Sequence, residues 1–127
     1  MCPVTPPARI EIAMDPRAPK RAREFVRAAH CIEHNASVLD ETALLVSELV
    51  TNAVRHGAPP IITEVECAGT DGMQVRVTDG SPQSPTVRTA DFDAESGRGF
   101  TLVDLLSDAW GVEPTPAGKA VWFRLGE

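Results

Sequence analysis

The chain has 127 residues, 43% of them hydrophobic, and a formal net charge of −6. That is the length of one domain, enough to bury about two-thirds of its unfolded surface without metals or disulfides. The twelve Lys and Arg residues are scattered, which excludes a basic stripe for nucleic acid, while the acidic net charge would suit a basic protein partner. Cys2, Cys31 and Cys67 are odd in number and irregularly spaced, without a Cys-x-x-Cys pair. They read as reduced thiols, not staples or zinc ligands. No apolar run reaches bilayer length and no signal-peptide pattern opens the chain, so the expectation is a cytoplasmic protein with no membrane partner.

Residues 1–8 hold three prolines and no periodicity, and are expected to form a mobile tail before a domain over 9–127. Arg9 to Met14 alternates and predicts a first strand. Lys20 to His34 carries Ala22, Phe25, Val26 and Ala29 at helical spacing. Ser37, with Asp40 three residues on, marks a helix start and Gly57 a stop, framing a long helix over 38–56. Pro59-Pro60 precedes a second strand, Ile61 to Ala68, and Thr70-Asp71-Gly72 turns the chain into a third, Met73 to Thr78. Residues 81–96 are polar, with Pro82 and Pro85 and no period, and read as a loop. A helix over 100–107, a strand from Ala109 to Glu113, a turn over 114–118 and a last strand from Ala120 to Leu125 complete the α/β pattern. Trp110 and Trp122 are expected in the core.

The long helix carries the chemistry. Residues four apart share a helix face, so Glu48, Asn52 and His56 form one polar row, opposite the apolar stripe of Leu45, Val46, Leu49, Val50, Ala53 and Val54. A carboxylate and an amide one turn apart can position a nucleophile and hold a metal. Asparagine is mildly unfavourable within a helix, and a metal-and-phosphate role explains that cost. Further on, Val75-Arg76-Val77-Thr78-Asp79-Gly80 is an alternating strand ending on an acid and a glycine. Asp-Gly is also the commonest hairpin dipeptide, yet Ser81-Pro82-Gln83-Ser84-Pro85 does not resume a paired strand. Ser96-Gly97-Arg98-Gly99-Phe100 then opens an apolar helix, and two glycines at a helix mouth let the backbone approach an anion.

This order of motifs resembles the GHKL ATP-binding fold of gyrase, the heat-shock chaperone, mismatch-repair proteins and histidine kinases. Glu48 to Gly57 looks like its N box, Asp79-Gly80 its first glycine box, and Gly97-Arg98-Gly99-Phe100 its second. The likeness is nearest to the small stand-alone anti-sigma-factor serine kinases, which also end in a strand similar to Gly118-Lys119-Ala120-Val121-Trp122-Phe123, and it covers roughly residues 9–126. It implies a two-layer sandwich, with a mixed, mostly antiparallel sheet covered by helices on one face. It also implies ATP and Mg²⁺ as cofactors. Glu48 would be the catalytic base, Asn52 the metal ligand, Asp79 and Gly80 the adenine contacts, and Gly97, Arg98, Gly99 and Phe100 the phosphate turn. Residues 81–96 would be a flap over ATP. Lys119 and Arg98 are either phosphate contacts or surface charges. His56 and Arg55 either complement the helix dipole or touch nucleotide. The implied partners are a sigma factor and an antagonist protein, with homodimerisation left open. The chain departs from the pattern in lacking a second glycine after Gly80, and in carrying Ala120 where relatives have threonine near adenine. A non-catalytic module that sequesters a protein is the alternative reading.

Overall fold

The computed structural model describes residues 8–31, 35–67, 72–81 and 98–126. In chain order these form β1 (Ala8–Ile12), α1 (Ala18–Ala29), α2 (Leu39–His56), β2 (Ile61–Cys67), β3 (Met73–Asp79), α3 (Arg98–Leu106), β4 (Ala109–Thr115) and β5 (Gly118–Leu125). The strands lie in the order β1-β2-β3-β5-β4, and every described pair is antiparallel. The expected two-layer arrangement, a mostly antiparallel sheet with helices on one face, is present, and its described strands all pair antiparallel. Residues 1–7 of the expected tail, Thr70 and Asp71 of the expected turn, and 82–97 of the expected flap and glycine turn lie outside the described residues. Ala8 opens β1 instead of closing the tail.

Alternation sorts the sheet into two faces. Ile61, Thr63 and Val65 of β2, Met73, Val75 and Val77 of β3, and Val121, Phe123 and Leu125 of β5 are buried beneath the helices. α1 buries Ala18, Ala22 and Val26, one residue per turn, and α2 lies between α1 and α3 with Leu45, Val46, Leu49, Val50 and Ala53 in the core. The stripe expected on the long helix is thus the stripe it buries, with Val54 half-buried at its edge. Trp122 corrects an expectation. Its neighbours Val121 and Phe123 point inward, so the indole stands on the opposite face of the sheet, half-buried, over Gly111 across the strand pair. Trp110 packs partly buried against the core and donates its indole N–H to Asp104 at 3.0 Å.

The element boundaries differ from expectation for local reasons. α1 ends at Ala29 and His30 is extended. Beyond it, the Asn35 side chain accepts the Cys31 N–H at 3.1 Å and the Asn35 N–H donates to the Cys31 carbonyl at 2.7 Å. α2 is entered through a 3₁₀ turn, Ala36–Val38, with Val38 at the N-cap making no side-chain cap bond, so Ser37 is inside the turn and is not the cap. The last two strands run further than expected and leave a two-residue turn at 116–117. Pro114 is accommodated because β4 is an edge strand. Gly72, at φ 98°, takes the left-handed conformation that opens β3.

The core's dependence on single side chains is measurable. Phe123 is fully buried and Leu105 is 72% exposed. Phe123→Ala should cost about 3–5 kcal/mol in urea unfolding, while Leu105→Ala should stay within about 0.5 kcal/mol. Equal losses would contradict this placement of the core.

Candidate functional site

The site gathers where the C-terminal end of α2 meets the ends of β3 and β5. Asp79 is the last residue of β3 and continues its inward-facing row, so its carboxylate enters the space under the helices and is 4% exposed. Gly57 caps α2 and its N–H donates to the Ala53 carbonyl at 2.9 Å. A Cβ on Gly57 would lie 2.7 Å from that carbonyl oxygen and 2.8 Å from Asp79 Oδ2. Gly57 has an extended backbone, φ −97° and ψ −159°. Its glycine is required by the close approach of the carboxylate, not by a left-handed cap. One residue past Asp79, the Gly80 N–H donates to the Ala58 carbonyl at 2.7 Å, tying the strand end to the segment after α2. Gly118 opens β5 against the Asp79 carbonyl oxygen, where a side chain would collide. The peptide bond between Pro59 and Pro60 is cis.

Two donors hold the Asp79 carboxylate. The Ser81 N–H donates to Oδ1 at 2.8 Å, and Lys119 Nζ lies 3.0 Å from both oxygens. Lys119 is directly opposite Asp79 in the β3–β5 register and is itself 7% exposed. Lys119 was expected at the phosphate end; the structure puts its ammonium on Asp79, because 119 shares the inward face with Val121 and Phe123. Ala120, the departure noted in the sequence, faces the other way. Sequence reasoning missed this pair because Asp79 and Lys119 are 40 positions apart and meet only through strand pairing. Their equivalent positions on neighbouring strands were the available signal.

Along α2, Asn52 lies five residues before Gly57, about 7.5 Å up the helix axis, and Glu48 about 6 Å further. Asn52 is buried, at 9% exposure, and its Nδ2 has no hydrogen-bond partner among the described residues. Asn35, Thr63 and Thr115 also leave one buried polar atom unpartnered, but none stands on the row that leads to Asp79. An amide donor buried without an acceptor is costly, and a ligand oxygen would satisfy it. Glu48 is half-buried on the same face, and His56 and Arg55 are exposed at the helix end. The row expected from the sequence therefore exists, graded from half-buried through buried to exposed. Arg98, Gly99 and Phe100 form the first turn of α3, whose Val103 is buried in the shared core; Gly97 lies outside the described residues.

These donors fit a nucleotide with its metal. Among the described residues no three His, Cys, Asp or Glu side chains cluster as a ready metal site. Mg²⁺ is commonly held by one or two protein oxygens together with substrate phosphates, and the Asn52 amide oxygen is the residue here that would take part. The seat of Asp79 can be tested first. Gly57→Ala should destabilise the fold by about 1–3 kcal/mol, read as a lowered urea midpoint; a change under about 0.5 kcal/mol would show that the carboxylate is not seated against Gly57.

Comparison with curated proteins gives no significant match. The family model for the histidine kinase-like ATPase domain matches residues 12–125, a span that contains the whole described fold from the end of β1 to the end of β5, and with it Glu48, Asn52, Gly57, Asp79 and Lys119. The chain belongs to the histidine kinase-like ATPase domain family.

Proposed function

We propose that this domain binds Mg-ATP and acts as an anti-sigma-factor-like serine/threonine kinase, phosphorylating an antagonist protein that competes with a sigma factor for it. The observation that carries the reading is the buried Asn52, whose Nδ2 has no partner among the described residues, one turn from Glu48 on the helix that ends against Asp79. Phosphoryl transfer requires mainly positioning and neutralisation of charge, which a domain of this size can supply. Asn52 would face the phosphates, its amide oxygen toward the metal and its N–H toward a phosphate oxygen. The bound Mg²⁺ supplies neutralisation of the phosphate charge. Glu48 would accept the proton of the attacking serine hydroxyl on a carboxylate oxygen. Asp79 would accept a hydrogen bond from the adenine amino group, and the turn ahead of α3, with Arg98, would receive phosphate.

A second reading has its own observation. The Asp79 carboxylate already holds Lys119 and the Ser81 N–H, which favours a regulatory module that sequesters a protein partner with weak or no nucleotide binding. Calorimetric titration of the protein with Mg-ATP decides between the two. Kinase function predicts saturable binding below millimolar ATP; absence of binding there would leave the sequestering module.

Chemistry and binding separate on α2. Glu48→Ala should keep Mg-ATP affinity while slowing transfer to a serine-bearing antagonist by about 10²–10⁴-fold. Asn52→Ala should lose the magnesium dependence of nucleotide binding. Equal losses of ATP affinity in the two variants would contradict this division, and full transfer activity in Glu48→Ala would remove Glu48 as the base.

A further inference from the structure

We propose that Lys119 is an internal occupant of the base-recognition carboxylate, a latch that a nucleotide must displace before Asp79 can accept its amino group. The inference rests on the nucleotide-binding reading and adds to it the residue that sets affinity and base preference. The Lys119 ammonium lies 3.0 Å from both Asp79 oxygens, the position that an incoming amino donor would need. Among the described residues the other sides of the carboxylate are crowded. Oδ1 also accepts the Ser81 N–H, and the α carbon of Gly57 lies against Oδ2, so close that a Cβ there would stand 2.8 Å away. The carboxylate side chain is 5% exposed, and among the described residues the lysine occupies the position that a second donor would need.

The same geometry explains why a lysine stands there. Asp79 lies against the C-terminal end of α2, where the helix carbonyls concentrate negative potential, and a buried carboxylate in that field needs a counter-charge when no ligand is bound. Lysine supplies one on a flexible four-carbon stem that can swing away. A ligand amino group then replaces one donor with another. The protein gives up a charged contact to gain a neutral one, so binding is weaker than it would be at an unlatched carboxylate. The amino group is what competes, so the latch acts on adenine and not on a base with oxygen in its place. To an oxygen at that position the ammonium can donate.

Lys119→Met keeps the stem and removes the ammonium. Its affinity for Mg-ATP, measured by calorimetry, should rise about tenfold or more, the equivalent of one charged hydrogen bond no longer broken. Its preference for ATP over inosine triphosphate, which carries oxygen in place of the amino group, should rise by a similar factor. Its melting temperature without nucleotide should fall. Unchanged or weaker ATP binding by the variant, with the wild type binding, would overturn the latch while leaving the nucleotide site standing. Failure of both proteins to bind ATP would remove the nucleotide reading and the latch with it. Should Lys119→Met not fold, the wild type carries the test. The chain has two lysines, Lys20 and Lys119. Lys20 is exposed and serves as the internal reference for reductive methylation read by mass spectrometry. Lys119 should methylate far more slowly than Lys20, and Mg-ATP should raise its rate. A rate that Mg-ATP leaves unchanged or lowers would show that Lys119 stays on Asp79, and would overturn the proposal.

Discussion

A buried carboxylate at the end of a strand is the constraint around which this fold is arranged. Asp79 is 4% exposed and stands beside the C-terminal end of a helix, the end that favours cations. Left alone it would be costly. The neighbouring sequence reads as the set of adjustments that make it tolerable: glycine at 57 so that the helix can end against it, glycine at 118 so that the adjoining strand can begin beside it, the Ser81 N–H at 2.8 Å and the Lys119 ammonium at 3.0 Å to offset its charge. Removing one partner of such a pair typically costs about 3–5 kcal/mol, whereas replacing both by apolar groups is often neutral. Stability alone therefore gives no reason to retain the acid.

Seating Asp79 also sets the rest of the site. The contact with Gly57 fixes how α2 meets the sheet, and α2 in turn carries Asn52 and Glu48 at fixed rises from that contact. The apolar stripe of α2 locks its rotation, because Leu45, Val46 and Val50 are fully buried. The polar row has no freedom to turn elsewhere. Asn52 is thus held buried, with its Nδ2 unpartnered among the described residues, a second buried polar cost in addition to that of Asp79 at the end of β3.

Much of this was legible in the sequence. Period-four polar spacing against an apolar stripe placed Glu48 and Asn52 correctly because helix geometry is local. Strict alternation located β2 and β3 to within a residue at each end, and edge placement of β4 let Pro114 extend a strand that proline was expected to end. What escaped was non-local. The role of Gly57 depends on a residue 22 positions later in the chain, and the destination of Lys119 on one 40 positions earlier. Trp122 shows a different failure. Its inclusion in the core followed from size and hydrophobicity, although the inward Val121 and Phe123 on either side already assigned it to the opposite face. Ser37 failed as a cap for a third reason, since the chain enters α2 through a 3₁₀ turn that side-chain propensity does not reveal.

The proposed nucleotide site runs from Asp79 at the sheet end to Asn52 and Glu48 along α2. A crystal structure of the protein with magnesium and a non-hydrolysable ATP analogue tests this most directly. The expected result is the base amino group on the Asp79 carboxylate, Lys119 withdrawn from it, and the metal and phosphates at Asn52. A nucleotide seated elsewhere, or one bound at Asp79 with Asn52 Nδ2 still unpartnered, would contradict it.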